Sequence, residues 1–514
     1  MQYIIWWCWK FTDFSASRFQ EGGFALAWIM KSKKYFKFNN AERKKLLSAF
    51  ENVIIFWSSL QNNDGSFNEA YPYERSLAAT AFSTFYLASA LELLKDEVSE
   101  YVLSKGMNTI KEAADWLSRN DEHHGILSNH LAAAAAAIQV TFDLTNQQKY
   151  LVSRNKFLDK IYKHQDFNEG WYMEYSGADP GYQSHCMFYL TDIFKRTQNQ
   201  RLLRSLEMSC DFIIWFAHPD GTFGGEYASR GTKFSFPAAF EYLSSYIQSA
   251  KKLAHYFKKM ILEDKLIGIN EMDPWNFFPM FNNYLFADNW CRDNKSLEKE
   301  NIKFPKEGRK IFNNAGFVII NNKKFSMVFS GKMGGSIKVW NSNGDLIYED
   351  LGYFFSSGNF KYSSHTLSHY KIEEEQNCIQ IVVKSKFIRT KSIRFNSLKF
   401  ILFRTFNITI GRVPMLSKIL KIFLVFILIN KKNFSKASLL RKIIIKDSGK
   451  VLLSDKLYEI SSKPYLLDKN VPFHMGSARY TNFKEWFGAS MQKNKILKKG
   501  TNSYVRNVDL SMLF

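Results

Sequence analysis

Apolar side chains recur at intervals of three and four through the first three hundred residues, which is the spacing of one face of an α-helix. The pattern is clear at 41–60, 77–98, 149–165 and 201–217. Residues 130–144 are rich in alanine, which favours a helix that packs closely against its neighbours. Proline is nearly absent from these segments. The first part of the chain is therefore predicted to be helical.

Four short loops between the predicted helices resemble one another. In each, an acidic or polar residue precedes a glycine, and these glycines are Gly65, Gly125, Gly170 and Gly221, spaced by 60, 45 and 51 residues. Repetition at this period is typical of arrays of helical pairs. Because a single helical hairpin cannot bury its apolar stripe, neighbouring hairpins must stack. We therefore predict an α/α toroid, an incomplete ring of helical hairpins, with an open solenoid as the alternative.

After a charged stretch at 292–310 the period of the apolar residues changes to two. Residues 317–331, 336–350, 378–388 and 442–460 alternate in this way and are joined by turn signals of the Asn-Gly and Ser-Gly type. This pattern predicts an antiparallel β-sandwich. The expected organisation is an α/α toroid domain at 1–295, a linker at 296–312 and the β-sandwich domain at 313–514.

One strongly apolar run, at 415–430, interrupts the β-region. We expect it to form a short helix or strand that is buried in the β-domain. Its central part, from Ile419 to Ile429, is too short to cross a bilayer as a helix, so no transmembrane segment is predicted. Nine Lys and Arg residues between Lys418 and Lys450 face a single acid, Asp447. Peripheral contact with a membrane is therefore the alternative for this region.

Composition narrows the choice of partner. Of the 514 residues, 16% are aromatic, which suits a folded chain and stacking on sugar rings. Lys and Arg number 70 against 48 Asp and Glu, and a net charge of +22 attracts polyanions such as nucleic acid, anionic lipid or acidic polysaccharide. A general lysine bias is the alternative explanation. The basic residues are spread out and form no basic arm, so we expect no nucleic-acid partner.

Cysteine usage and the start of the chain bear on location. The five cysteines are widely separated and form no CxxC pair, which excludes a disulfide scaffold and a zinc ribbon and fits a reducing compartment. The opening residues lack a basic region and a small-residue cleavage site. We expect a cytoplasmic protein, or a periplasmic one if a signal peptide precedes this start. Oligomeric state is not predicted.

Asn129 and His130 stand where a loop meets the alanine-rich helix. The first turn of a helix favours anions, because its backbone N–H groups point outward and the helix dipole is positive there. We therefore interpret this pair as an anion-binding site. The alternative is that Asn129 only caps the helix.

Aromatic and charged side chains are dense in three toroid loops and one β-region segment, and loops of this kind on a rigid scaffold commonly bind ligands. Internal packing and surface ion pairs are the alternatives. His365 and His369 share a strand face, but no third ligand is evident, so no metal and no cofactor are predicted. The predicted substrate-binding residues are Tyr73, Glu74, Arg75, Trp171, Tyr172, Glu174, Tyr175, Asp179, Tyr227, Arg230, His365 and His369. The sequence has no P-loop, GxGxxG, GxSxG or HExxH motif.

At these residues the chain resembles the toroid polysaccharide lyases of the heparinase II/III-like and alginate-lyase-like group. The resemblance lies in a helical toroid followed by a β-sandwich, in Asn129-His130, and in Tyr182, which follows His130 by 52 residues. It implies that Asn129 and His130 hold the carboxylate of a uronate in an acidic polysaccharide or oligosaccharide. It also implies that Tyr182 is the catalytic acid and base of a β-elimination. We expect a neighbouring Arg or protonated His to lower the pKa of Tyr182.

The chain departs from the family pattern in the β-region. Family lyases often carry a His-x-His-x-Asp stretch there, whereas residues 330–340 contain no histidine, and the family's later His-Asn pair reads His369-Tyr370. Two alternatives to a lyase therefore stay open. One is a catalytically reduced glycan-binding protein that serves surface polysaccharide biosynthesis. The other is a toroid glycoside hydrolase that uses two carboxylates, Asp179 with Glu174 or Glu69.

Overall fold

A computed structural model of the chain describes residues 15–32, 34–122, 125–272, 274–291, 304–389, 397–426, 433–467, 498–499 and 503–513. Three regions discussed above lie outside these residues: the opening segment 1–14, residues 296–303 of the predicted linker, and the end of the apolar run from residue 427.

Eleven α-helices occupy the described part of the chain before residue 292. They are α1 (Gly22–Lys31), α2 (Asn40–Ser59), α3 (Leu77–Leu94), α4 (Glu100–Arg119), α5 (Ser128–Thr145), α6 (Lys149–Lys163), α7 (Pro180–Thr197), α8 (Gln200–Ile213), α9 (Ala238–Leu243), α10 (Gln248–Leu262) and α11 (Pro274–Trp290). Short 3-10 helices at Ser17–Glu21 and Ile214–Phe216 complete this part.

Helices α3, α5 and α7 form the inner layer of the toroid, and α2, α4, α6 and α8 cover them from outside. The alanines at 132–137 of α5 are completely buried, and their small size lets α5 pack against both α3 and α7. Among the described helices, only α3 is long and apolar enough to span a membrane. Because 89% of that stretch is buried inside the protein, α3 is explained as a core helix.

The second part of the chain is built from antiparallel strands. They are β1 (Gly308–Phe312), β2 (Phe317–Asn321), β3 (Phe325–Ser330), β4 (Ser336–Asn341), β5 (Leu346–Asp350), β6 (Tyr353–Ser357), β7 (Phe360–Ser363), β8 (His369–Glu375), β9 (Cys378–Arg389), β10 (Phe434–Lys446), β11 (Val451–Tyr458), β12 (Tyr465–Leu466), β13 (Lys498–Lys499) and β14 (Ser503–Asp509). Strands β1 to β5 form one sheet in chain order. The other sheet runs β12-β6-β7-β9-β10-β11-β14-β13, with β8 paired to β9. The predicted α/α toroid followed by antiparallel β-sheets is confirmed.

The first sheet packs on the toroid, and a charge cluster joins it to the second sheet. The ring of Phe312, in β1, lies edge-on to the ring of Phe212, in α8. Strand β1 begins at Gly308, inside the segment 296–312 that was predicted to be the linker. Arg441, in the second sheet, is completely buried and binds Asp350 at the end of β5 at 3.0 Å. Buried pairs of this kind fix how two layers meet, because neither charge can be left alone.

The apolar run is wrongly predicted to be buried. It forms α13 (Pro414–Val425), which follows α12 (Ser397–Ile408) in a helical hairpin inserted between β9 and β10. More than half of the surface of Ile419, Ile422 and Phe423 is exposed. The reason is that α13 turns Ser417 and Lys421, not its apolar stripe, toward the rest of the protein.

Candidate active site

An open cleft lies where the inner helices of the toroid begin. It is lined by side chains of α3 and of the N-terminal parts of α5 and α7, and also by residues of α11, of the first 3-10 helix and of the loops between helices. The lining residues are Arg18, Glu69, Phe82, Asn129, His130, Tyr182, His185, Arg230, Phe234, Phe236, Met272, Asn276 and Pro279. The three residues predicted to be catalytic therefore line one cleft, although Tyr182 follows the Asn129-His130 pair by more than fifty residues.

Asn129 lies in the first turn of α5, where it is almost completely buried. It is not the N-cap, since that position belongs to Leu127. Its Nδ2 donates to Glu174 Oε2 at 2.9 Å, while its Oδ1 is buried with no hydrogen-bond partner among the described residues. A buried amide oxygen of this kind is an open acceptor for a ligand hydroxyl.

His130 follows Asn129 and is held by an acidic partner. Its Nδ1 lies 2.6 Å from Glu122 Oε2, and its ring stands edge-on to Phe82. A carboxylate on Nδ1 fixes the ring orientation and favours a proton on that nitrogen. The other ring nitrogen, Nε2, is then the one that a ligand in the cleft can meet.

Tyr182 is the third residue of α7. Asp179 caps this helix, with its Oδ1 accepting from the Tyr182 N–H at 3.1 Å, and so fixes the turn that carries the tyrosine. The guanidinium of Arg230 lies 3.8 Å from the centre of the Tyr182 ring. The expected lowering of its pKa is wrong: burial raises the pKa of Tyr182 well above its ordinary value, and Arg230 offsets only part of this effect. Tyr182 is therefore a neutral phenol at neutral pH.

Glu174 links Asn129 to Arg230. It accepts from the Asn129 amide and forms an ion pair with Arg230, and both charged side chains are less than a tenth exposed. Burial raises the pKa of Glu174, while the nearby positive charge of Arg230 opposes this rise. Tyr175 completes the group, with its ring centre 5.0 Å from the Arg230 guanidinium. Glu174, Arg230 and Tyr175 thus gather beside the predicted catalytic residues.

Nine of the thirteen lining residues were not among the residues predicted for the lyase site, and Arg18, Phe82 and His185 are three of them. Arg18 pairs with Glu69 at 3.0 Å and lies over the ring of Phe82 at 4.6 Å. His185 stacks on Phe236 with 4.0 Å between ring centres, and burial lowers its pKa well below 6.5, so its imidazole is neutral. His185 lies one helical turn after Tyr182, at the end of the segment 170–185, which is rich in aromatic and acidic residues. Arg18 and Phe82 come from segments with no motif.

Several predicted binding residues serve the protein's own packing. Asp179 is fully buried and is used up by backbone N–H groups of Tyr182 and Arg230. Glu74 accepts from two N–H groups of its own loop, at Glu69 and Ala70. Neither carboxylate is therefore offered to a sugar. The structure also removes Asp179 from the carboxylate pair of the glycoside hydrolase alternative.

Three aromatic residues predicted to bind the substrate do not line the cleft. Tyr172 is buried with its hydroxyl 2.7 Å from Ser205, and Tyr227 is buried with its hydroxyl 2.9 Å from His218 Nε2. Trp171 is buried and donates to Glu169 at 3.0 Å. These rings fill the core and the contact between the toroid and the β-sheets.

The remaining predicted residues lie away from the cleft lining. Tyr73 and Arg75 form a turn against the inserted hairpin, where Arg75 also pairs with Asp64 at 3.0 Å. His365 Nδ1 lies 3.2 Å from both Ser336 Oγ and the Leu351 carbonyl oxygen. His369 begins β8 and is exposed. In the part of the chain that the structure describes, no group of three His, Cys, Asp or Glu is arranged to hold a metal ion.

Solved structures with a similar fold are polysaccharide lyases. A mutant of the chondroitin AC lyase from Streptomyces coelicolor is 8% identical, with a TM-score of 0.50, and the likeness covers 88% of this chain and 66% of that one. Heparinase III is 11% identical, with a TM-score of 0.45, over 87% of this chain and 72% of that one. The chain thus spans about two thirds of the chondroitin lyase. Identities this low show a shared fold and nothing finer.

The fold is that of the polysaccharide lyases in which a helical toroid precedes antiparallel β-sheets. Within this class, residues 35–239 match the family described as the Ulvan lyase N-terminal domain. That segment contains Asn129, His130, Tyr182 and Arg230. The prediction of a toroid polysaccharide lyase is therefore confirmed at the level of the class. No curated protein matches this chain by sequence.

Proposed function

We propose that the cleft binds a uronate residue of an acidic polysaccharide and cleaves the neighbouring glycosidic bond by β-elimination. The observation that carries this proposal is the convergence of Asn129, His130, Tyr182 and Arg230 on one cleft. All four lie within the segment that matches the ulvan lyase domain, so ulvan, or another uronate polysaccharide, is the first substrate class to test.

Binding must first neutralise the uronate carboxylate. The C5 proton beside an ionised carboxylate is a very weak acid, and positioned donors lower the barrier as they do in an oxyanion hole. His130, oriented by Glu122, supplies one N–H donor when it is protonated, and Arg230 supplies positive charge on the opposite side of Glu174. The open Oδ1 of Asn129 accepts a sugar hydroxyl. In this proposal His130 binds the uronate carboxylate and Asn129 binds a sugar hydroxyl.

Tyr182 then transfers one proton from C5 of the uronate to the leaving oxygen O4. In the proposed step its phenolate takes the C5 proton, the C5–H electrons form the C4–C5 double bond, and the C4–O4 bond breaks. The O4 atom leaves with the proton that Tyr182 returns, so the phenolate is regenerated and no net proton is consumed. Arg230, at 3.8 Å from the ring, stabilises the phenolate. Because burial raises the pKa of Tyr182, the active phenolate is a small fraction at neutral pH.

The test is the ultraviolet absorbance of unsaturated uronate ends released from ulvan, heparan sulfate, chondroitin sulfate, hyaluronan, alginate and xanthan. We expect wild-type protein to act on at least one polymer and Tyr182→Phe to lose at least about a hundredfold in kcat. Tyr101→Phe is the control, since Tyr101 is exposed on the outer helix α4. Full activity in Tyr182→Phe would remove this tyrosine from the reaction.

A second candidate is a glycan-binding protein without turnover. It is favoured by Glu174, which already occupies donors of Asn129 and Arg230 that a substrate carboxylate would need. In that case affinity electrophoresis detects binding to a polymer of the panel, and no polymer yields unsaturated ends. A role of this kind in surface polysaccharide synthesis would agree with the expected cytoplasmic location, which stays a prediction.

A further inference from the structure

The inserted hairpin, residues 397–426, has its polarity reversed relative to an ordinary surface helix. On α13 two of the three polar side chains, Ser417 and Lys421, are only 3% and 8% exposed, whereas Lys418 is exposed. They fix the helix to the toroid, where Ser417 donates to the Tyr73 carbonyl and Lys421 Nζ donates to the Arg75 carbonyl at 3.2 Å. A helix on a water-soluble surface turns its apolar stripe inward. Here the protein covers the face that carries Ser417 and Lys421 instead.

The opposite face of the inserted hairpin is apolar and exposed. On α13 and at its end this face consists of Met415, Ile419, Ile422, Phe423 and Phe426, each more than half exposed. Their spacing places them on one side of the helix.

Helix α12 presents a similar stripe of Leu398, Ile401, Leu402 and Ile408, whereas its Asn407 is buried. Twelve of the 25 exposed large apolar side chains in the described part of the chain lie in these 30 residues. A patch this dense marks an interaction surface.

The charge of the inserted hairpin indicates the partner. Residues 397–426 contain five basic residues and no acidic one. Two copies of the chain meeting through this face would bring like charges together, which disfavours self-association. A bilayer with anionic headgroups offers an apolar interior for the exposed side chains and negative charge for the basic ones. We propose that the inserted hairpin docks the protein on the surface of an anionic membrane, with the apolar face of α12 and α13 in the lipid.

The experiment is cosedimentation of the full chain with vesicles of phosphatidylcholine alone or of phosphatidylcholine with phosphatidylglycerol. We expect at least about tenfold stronger binding to the anionic vesicles, weakened by salt. The double variant Ile419→Glu/Phe423→Glu places two charges on the exposed face and should lower binding at least about tenfold. The matched control is Val152→Glu/Leu262→Glu, two exposed apolar positions of the toroid at 73% and 78% exposure, which should bind as the wild type does.

Three results would overturn the proposal. The first is wild-type protein that does not pellet with anionic vesicles. The second is equal loss of binding in the two double variants. The third is light scattering that shows a dimer abolished by Ile419→Glu/Phe423→Glu without vesicle binding, which would make a second copy the partner. Lyase activity on soluble polymer should be unchanged in both double variants, so failure of this proposal and failure of the lyase proposal are separate results.

Discussion

The buried ion pair between Arg230 and Glu174 offers a test of the cleft that needs no substrate. Replacing Arg230 by methionine keeps much of the side-chain volume and removes the charge. Because the two side chains are only 6% and 3% exposed, Glu174 then stays in the interior without its cation. Loss of one partner of a buried pair typically costs about 3–5 kcal/mol. For a domain of this size, that lowers the unfolding temperature by about 5–10 °C.

The loss of stability in Arg230→Met should depend on pH. Burial already raises the pKa of Glu174 while Arg230 opposes the rise, so removing Arg230 raises it further. A carboxyl whose pKa is higher in the folded than in the unfolded protein destabilises the fold when ionised, and protonation relieves this. The deficit of Arg230→Met relative to wild type should therefore be larger at pH 7 than at pH 5. The double variant Glu174→Gln/Arg230→Met should recover most of it at pH 7.

The assay is thermal unfolding followed by circular dichroism at both pH values. The control is Arg201→Met, because Arg201 also lies over a tyrosine ring, at 4.0 Å from Tyr162, but its ion pair with Asp159 is more than 60% exposed on both sides. An exposed pair is worth at most about 1 kcal/mol. If Arg230→Met melted within about 1 °C of wild type, or showed the same deficit at both pH values, Glu174 would not be a charge that Arg230 holds in the interior.

Three further predictions concern the reaction and the turn that carries Tyr182. Because burial raises the pKa of Tyr182, the elimination rate below saturation should climb with pH to at least about pH 9, and a plateau near pH 7 would point to another base. Glu122→Gln should raise KM more than it lowers kcat, since it removes the carboxylate that orients the His130 ring; an unchanged KM would mean that His130 does not meet the substrate. Gly181→Ala should lower stability by about 1–3 kcal/mol in thermal unfolding, because a Cβ there would collide with Thr232 Oγ1 and lie 2.9 Å from a carbonyl oxygen; unchanged melting would show that the turn yields.

The residues that the sequence predicted best are those at the starts of inner helices. Asn129 and His130 open α5, and Tyr182 opens α7, so the alternation of inner and outer helices brings both ends to the same side of the toroid. That arrangement follows from the repeat of helical hairpins and needs no knowledge of contacts. Arg18 escaped prediction because it reaches the cleft from a short 3-10 helix that has no motif and no period.

Aromatic residues were the least informative for predicting the binding site. In a chain that is 16% aromatic, rings supply much of the core, and Tyr172 and Tyr227 do so although their loops resemble sugar-binding loops.

The prediction that the apolar run at 415–430 is buried failed for a different reason. Its period correctly gives a helix with one apolar side, but a period does not say which side the rest of the protein covers. That was decided by the polar contacts of Ser417 and Lys421 with a distant loop.

The ion pairs at the cleft distinguish the local effect of charge on binding from the long-range effect of the net charge of +22. Arg18 is paired with Glu69, and Arg230 with Glu174, so each guanidinium at the cleft already has a carboxylate beside it. The excess positive charge of the chain therefore acts at longer range, where it attracts a polyanion and is screened by salt. Recognition of one carboxylate inside the cleft must come from directed donors such as His130, whose ring Glu122 orients. Under the proposed function, net charge would bring acidic polymers in general to this protein, and the geometry at the start of α5 would distinguish a uronate from other anions.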